Sequence, residues 1–197
     1  MVGPTTFGYQ VAGFGAGGVA VEDYVLIKTE TPSGSAATVD FTSIDESKYN
    51  IHFVTYTLKG ASYEEFGCRF FESGSIEDQG VYKTGHFTIL SQGNNEDLGA
   101  QLHSKSTTAS SIEIGESSAS AVGEGGSGYF YIYNAGDSNL YTSISTHYVQ
   151  LNNSNNVAKT HGGGTMPQAS TVDGFRIFGK NSGSNLTGKV SLYGVTL

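Results

Sequence analysis

The amino-acid sequence predicts an all-β fold, either a sandwich or a barrel. Its apolar runs are short and rich in β-branched and aromatic residues, and clusters of Gly, Ser, Asn, Asp and Thr separate them. No long segment has the 3.6-residue hydrophobic period of a helix. The 197 residues include 12 Tyr, 11 Phe and 28 Gly but only 3 Pro and no Trp, which suits sheets joined by turns. A chain of this length can bury the core of one domain without metal or disulfides.

The strands are expected in close succession along the chain. We predict them at residues 24–28, 37–41, 50–59, 65–72, 82–91, 111–114, 129–133, 140–151, 174–178 and 188–193. A short helical turn is expected at 44–48, where Ser43 and Glu46 have the spacing of a capping box. Segments 104–111 and 116–127 have few apolar anchors and are expected to be loops, and 152–156 a polar hairpin tip. The run 50–59 is apolar on both faces, as in a central strand covered on both sides or one in a subunit interface.

The strand at 129–133 has a strict alternation of side chains. Successive residues of a strand point to opposite faces, so Phe130 and Ile132 are predicted to face the core. Tyr129, Tyr131 and Tyr133 then share the opposite face. We therefore predict a partner-contact face formed by these three tyrosines.

Two further tyrosines, Tyr141 and Tyr148, are candidates for the same patch. Such a patch could be a platform on which sugars stack or a protein-contact surface. Tyrosine is enriched in protein interfaces, and tryptophan, which carbohydrate-binding sandwiches often use, is absent from the sequence. These observations favour the protein contact.

The N-terminal segment contains a motif that resembles a nucleotide-binding site. Gly13, Gly15 and Gly18 have the G-x-G-x-x-G spacing of a dinucleotide-binding loop. That loop must open a helix, whereas residues 19–28 are β-like and a turn sequence at 31–34 ends the run. No βαβ unit can form here, so the sequence argues against NAD or FAD binding.

Residues 1–21 are instead predicted to be an extended, glycine-rich N-terminal arm. Its apolar residues are separated by glycines and have no local core to bury them, and they are Phe7, Tyr9, Val11 and Phe14. A segment that cannot bury its apolar side chains alone gains by docking onto another subunit. We predict an assembly arm, and a single β-domain over residues 22–197.

Charge excludes several classes of partner. The net charge is −8, and Lys and Arg are absent before Lys28 and again from residue 106 to 158. Binding to a phosphate backbone or to an anionic membrane needs clustered cations, so neither partner is expected. The sequence also has no signal-peptide pattern and no apolar run long enough to span a membrane, which predicts a protein that is made in a cytoplasm and stays soluble or is assembled there.

Candidate chemistry is sparse. The five histidines lack the spacing of a zinc site, and Cys68 lies in an apolar run and is expected in the core. Adjacent acids such as Glu64 and Glu65 are expected to be solvated. The asparagine-rich segments 94–97 and 134–139 could bind calcium through oxygen ligands, although neither matches the spacing of a calcium loop. We therefore predict no catalytic residue, no metal and no cofactor, and hence no enzyme.

An ordered set of strand motifs resembles small virion proteins of tailed bacteriophages. These motifs are LIKTET at 26–31, SAATVDFTSI at 35–44, NIHF at 50–53 and LTGKVSLYG at 186–194. The similarity extends from Tyr24 to the C-terminus and leaves the arm unmatched. It implies a jelly-roll-like antiparallel β-sandwich on the virion exterior, in a head decoration protein or a tail appendage, with no catalytic residues to carry over.

The combined expectation is a non-enzymatic virion structural protein. We expect a capsid (head) decoration or cement protein that docks by its N-terminal arm and forms a homo-oligomer such as a trimer. Its partners would be the major capsid protein or a tail component. The alternative is a tail-fibre or receptor-binding β-sandwich that recognises a host-surface glycan, and a glycan-degrading enzyme ranks third. The sequence does not choose between head and tail, since fold does not fix function.

Overall fold

A computed structural model describes residues 24–60, 64–90, 101–118, 125–151, 157–181 and 185–196. Within them the chain is all-β and has no helix, and two antiparallel sheets pack face to face as a sandwich. This confirms the predicted fold class. The arm at 1–21 and its motifs, the acidic segment at 94–97 and the hairpin tip at 152–156 lie outside the described residues.

The larger sheet has nine strands. The strands are β1 (Tyr24–Glu30), β2 (Ser33–Ala36), β4 (Ile51–Lys59), β7 (Tyr82–Leu90), β8 (Gln101–Ala109), β10 (Gly126–Tyr133), β11 (Tyr141–Leu151), β12 (Val157–Ala169) and β14 (Leu186–Val195). Their order in the sheet is β1-β14-β4-β10-β11-β12-β7-β8, with β2 beside β14. β1 and β8 form the two ends of this order.

The smaller sheet has five strands, β3 (Thr38–Phe41), β5 (Glu64–Glu72), β6 (Ser75–Ile76), β9 (Ile112–Ser118) and β13 (Gly174–Gly179). Their order is β3-β13-β5-β6, with β9 paired to β5. This sheet covers one face of the larger sheet, which we call the inner face. The opposite, outer face is covered by none of the described strands.

The core lies between the two sheets. β4 and β10 alternate as their sequences predict, so Val54, Phe130 and Ile132 are fully buried on the inner face. Phe175 of β13 meets them, with its ring 5.6 Å from that of Phe130 and stacked at 4.7 Å on Phe41. Such aromatic packing, together with the area buried, is the main source of stability in a sandwich.

All ten predicted strands coincide with observed strands, whereas several predicted loops do not hold. Most of 104–111 belongs to β8, and 116–118 and 126–127 belong to β9 and β10. β12, β2 and the two-residue β6 were also missed. Residues 46–48 form a hydrogen-bonded turn rather than a helical turn capped by Ser43, since the amides of Lys48 and Tyr49 both donate to the carbonyl of Asp45.

Cys68 is fully buried, as predicted, and burial raises the pKa of its thiol well above the usual range. It is therefore protonated and unreactive at neutral pH. In the described part of the chain there is no helix of the length and hydropathy needed to cross a membrane.

Candidate functional site

The three tyrosines predicted as a contact face lie together on the outer face of the larger sheet. Tyr129, Tyr131 and Tyr133 alternate with the buried Phe130 and Ile132 along β10. The register pairs them with outward-facing residues of β4 on one side and β11 on the other. β10 is an interior strand of the sheet, so the tyrosines lie near the middle of this face.

Neighbouring strands extend the group into an aromatic layer. It consists of Tyr24, Phe53, Tyr129, Tyr131, Tyr133 and Tyr193, contributed by β1, β4, β10 and β14. Phe53 is its centre, with ring centroids 4.7 Å from Tyr131, 5.2 Å from Tyr24, 5.8 Å from Tyr129 and 6.1 Å from Tyr193. Tyr131 also stacks on Tyr133 at 6.1 Å. These are favourable distances for aromatic pairs.

Hydrogen bonds fix the orientation of the hydroxyl groups in this layer. The hydroxyls of Tyr24 and Tyr131 are 3.2 Å apart, and that of Tyr133 is 3.1 Å from Ser145 Oγ. The hydrogen bond to Tyr24, together with partial burial and the neighbouring tyrosines, raises the pKa of Tyr131 to about 12. The Tyr131 hydroxyl therefore stays protonated at physiological pH, and these hydrogen bonds favour one arrangement of the rings.

The exposed apolar side chains of the described residues concentrate on this side of the molecule. Tyr24 is 46 % exposed, Tyr129 40 % and Tyr141 52 %. Leu26 lies opposite Tyr193, and Val149 and Leu151 continue the outward positions of β11. The large exposed hydrophobic residues are Tyr24, Leu26, Tyr129, Leu140, Tyr141, Val149 and Leu151, and all except Leu140 lie on strands of the larger sheet. Clustered exposure of this kind marks interaction surfaces.

Tyr148 does not belong to this surface. It is 1 % exposed and lies on the inner face, because it is one residue away from the outward-facing His147. Its ring stacks on that of Tyr56 at 5.7 Å within the core. The expectation that Tyr148 joins the patch is therefore wrong, and the reason is the two-residue period of the strand.

A row of imidazole and aromatic rings continues the outer face beyond the layer. Tyr129 is hydrogen-bonded to His147 Nδ1 at 3.1 Å, and His147 stacks on His161 of β12 at 4.2 Å. Phe87 lies opposite His161 and contacts His103 of β8 at 4.8 Å. Partial burial, then His161 and Lys159, lower the pKa of His147, which keeps its ring neutral and able to accept a hydrogen bond from Tyr129.

The sequence did not place these histidines together, since His103, His147 and His161 lie on three different strands. Their proximity arises from the register of β11, β12, β7 and β8. The described residues contain no group of three or more His, Cys, Asp or Glu arranged to hold a metal ion. His52, by contrast, is a buried core residue whose Nε2 lies 2.6 Å from the carbonyl of Ile44.

A second polar cluster lies between the sheets and at their edge. Lys180 Nζ is 2.9 Å from Glu65 and 2.9 Å from Glu113, and Glu113 lies 3.1 Å from His86 Nε2. Burial alone would lower the pKa of Lys180, but Glu113 and Glu65 outweigh it and raise the pKa. Glu64 is fully buried and accepts a hydrogen bond from the amide of Asn181. The prediction that this acid is solvated is therefore wrong. These contacts connect the two sheets and help to hold them together.

Comparisons of the chain with protein-family models, with curated proteins and with solved structures found no match.

Proposed function

We propose that this chain is a non-enzymatic structural protein of a tailed-bacteriophage virion, most specifically a capsid decoration protein. In this proposal its N-terminal arm and its aromatic layer together contact other virion proteins. The observation that carries it is the exposed, preorganised aromatic layer on the outer face of the larger sheet. The protein would be assembled into the virion in the host cytoplasm, and would need no cofactor.

The chemistry of the layer supports a protein contact. Tyrosine presents an apolar ring and a polar tip, so it suits interfaces that are partly wet and partly apolar. The hydrogen bonds of Tyr24, Tyr129 and Tyr133 hold these side chains in place before binding. A surface that is already ordered loses less conformational entropy when a partner covers it.

The arm and the layer adjoin at one point of the chain. The first described residue, Tyr24, is itself a member of the layer and contacts Phe53. The apolar residues of the arm, Phe7 to Phe14, precede it by ten residues or more in sequence. The described β-domain therefore begins, at Tyr24, within the surface that we assign to partner contact, and an arm that docks onto the same partner fits this position. Partners would be the major capsid protein or a tail component, and further copies of the chain, for example in a trimer.

The test is co-sedimentation with undecorated heads of the parent phage. We would compare the full chain with a chain lacking residues 1–18 and with the double variant Tyr129→Ser/Tyr131→Ser. Leu140→Ser is the matched control, since Leu140 is a large exposed hydrophobic residue that lies outside the strands of the larger sheet. We expect the full chain and the control to pellet with heads, and the other two to remain in the supernatant. A full chain that stays in the supernatant at every concentration refutes the decoration role.

A second candidate function is a receptor-binding β-sandwich that recognises a host-surface glycan. The observation that favours it is a ring-lined depression on the outer face beyond His147, which the following section develops. If the protein still binds host cells after residues 1–18 are removed, a location on the tail is favoured over one on the head.

A further inference from the structure

The outer face is not flat where β12, β7 and β8 run side by side. Gly85 and Gly163 occupy paired outward positions on β7 and β12. Two adjoining depressions of about 540 and 560 Å³ share Gly85 and Lys105, and we call them together the trough. Phe87, His103 and His161 line the first depression, and Lys83 and Gly163 line the second. A Cβ built on Gly85 would meet only the carbonyl of Ser104, at 4.0 Å, and would otherwise point into open space. The missing side chain at Gly85 therefore forms the floor of the trough.

One wall of the trough consists of ring faces. Phe87 and His103 are 4.8 Å apart and tilted by 41°, and His161 lies opposite Phe87 with its other side stacked on His147. His103 and His161 are exposed. Planar rings at the surface are the groups on which the apolar face of a sugar ring packs, and their stacking within the row holds them in place.

The other wall carries positive charge. Lys83 and Lys105 are exposed on β7 and β8 and both line the trough, and Lys159 points outward from β12 nearby. The strands β7, β8, β10, β11 and β12 contain no Asp or Glu, although the whole chain has 18 acidic and 10 basic residues. The trough is therefore a locally positive surface on an acidic protein, and such a surface favours an anionic ligand.

We propose that the trough binds an acidic saccharide, with a sugar ring against Phe87 and His161 and its carboxylate between Lys83 and Lys105. Two lysines match one or two carboxylates, whereas a nucleic-acid backbone would need a longer track of cations. The volume of each depression is in the range of small-ligand sites, and the two together suit a short oligosaccharide lying on the open sheet face. The site goes beyond the decoration role and gives the glycan-binding alternative its class of ligand, so its failure would leave the decoration role untouched.

The experiment is calorimetric titration of the full chain with 3′-sialyllactose and with a galacturonic acid tetramer, using lactose as the neutral probe. We expect at least one acidic probe to bind, lactose not to bind, and affinity to fall when salt screens the lysines. Gly85→Val fills the trough without changing charge, and the double variant Lys83→Gln/Lys105→Gln removes charge without changing shape. Each should weaken binding by about tenfold or more.

The matched control is Lys189→Gln, which removes an exposed lysine from the outward face of β14, away from the trough. It should bind like the unmodified chain. The proposal is overturned if neither acidic probe binds, if lactose binds equally well, or if Lys189→Gln weakens binding as much as the lysine double variant. Should Gly85→Val fail to fold, the lysine variants decide alone. Gly85→Val should still pellet with phage heads, because the trough lies outside the aromatic layer. A failure of saccharide binding can therefore be distinguished from a failure of the decoration role.

Discussion

Two neighbouring core tyrosines should respond in opposite directions to the same substitution. Tyr56 and Tyr148 lie on the inner face with rings stacked at 5.7 Å and 17°, and both are buried. The Tyr56 hydroxyl donates to the carbonyl of Ile114 at 2.5 Å. The Tyr148 hydroxyl is equally buried but has no hydrogen-bond partner among the described residues. Burial raises the pKa of both hydroxyls, so neither ionises near neutral pH.

The magnitudes follow from this difference. Tyr56→Phe removes a buried hydrogen bond and should lower the free energy of unfolding by about 1 kcal/mol. Tyr148→Phe removes a hydroxyl that was desolvated without compensation, so it should raise the free energy of unfolding by about 1 kcal/mol. The ring and its packing are retained in both variants. The two should therefore differ by about 2 kcal/mol, which for a chain of this length is several degrees in Tm.

Urea unfolding followed by tyrosine fluorescence and far-ultraviolet circular dichroism would measure both variants. An unchanged dependence of free energy on urea would show that only native-state stability differs. Each variant serves as the control for the other, because the chemistry of the substitution is identical. A midpoint for Tyr148→Phe at or below that of the unmodified chain refutes the reasoning, since it would mean that the hydroxyl is satisfied.

Three further predictions concern the core and its edge. Burial lowers the pKa of His52 in the folded chain, so below about pH 6.5 the unfolded chain binds a proton that the folded chain does not. The free energy of unfolding should therefore fall as the pH drops from about 6.5. His52→Gln should flatten this dependence in unfolding experiments at about pH 5 to 8. Asp40→Asn weakens the two hydrogen bonds from Arg176 and should lower the free energy of unfolding by no more than about 1 kcal/mol, which would be measured as a small fall in Tm. Gly126→Ala should destabilise by about 3 kcal/mol in urea unfolding, because its Cβ would overlap the Tyr148 hydroxyl.

The sequence predicted the strands whose side chains alternate between a core and a distinct second face. In β10, Phe130 and Ile132 alternate with three tyrosines, and the structure follows that pattern without exception. The run 50–59 is apolar on both faces, and this pattern predicted that an apolar side chain such as Phe53 would lie on the second face of β4. These features are local, and a two-residue period reports them directly.

The strands that escaped prediction depend on neighbours that are distant in sequence. β8 is an edge strand with mostly polar side chains, so it has no alternation to detect. β12 contains Gly162, Gly163 and Gly164, a composition typical of a loop. A Cβ on Gly163 would lie 2.2 Å from the carbonyl of Ile144 on the adjacent strand, so this close pairing requires glycine. The histidine row and the trough arise from the same strand pairing, so local sequence patterns could not predict them either.

The low charge content of the chain has a structural explanation on the outer face. Only 14 % of the residues are charged, and the outer face is built largely from tyrosine rings and paired hydroxyls, such as Thr57 with Ser127 and Ser143 with Thr165. Covering such a face removes apolar ring surface from water and desolvates few ions. Cross-strand ring pairs stabilise a sheet whether or not it is covered, but a partner that covers them adds the free energy of burying their apolar surface. This asymmetry between the uncharged layer at β4 and β10 and the lysine-bearing trough at β7 and β8 is why we assign a protein partner to the first and an anionic ligand to the second.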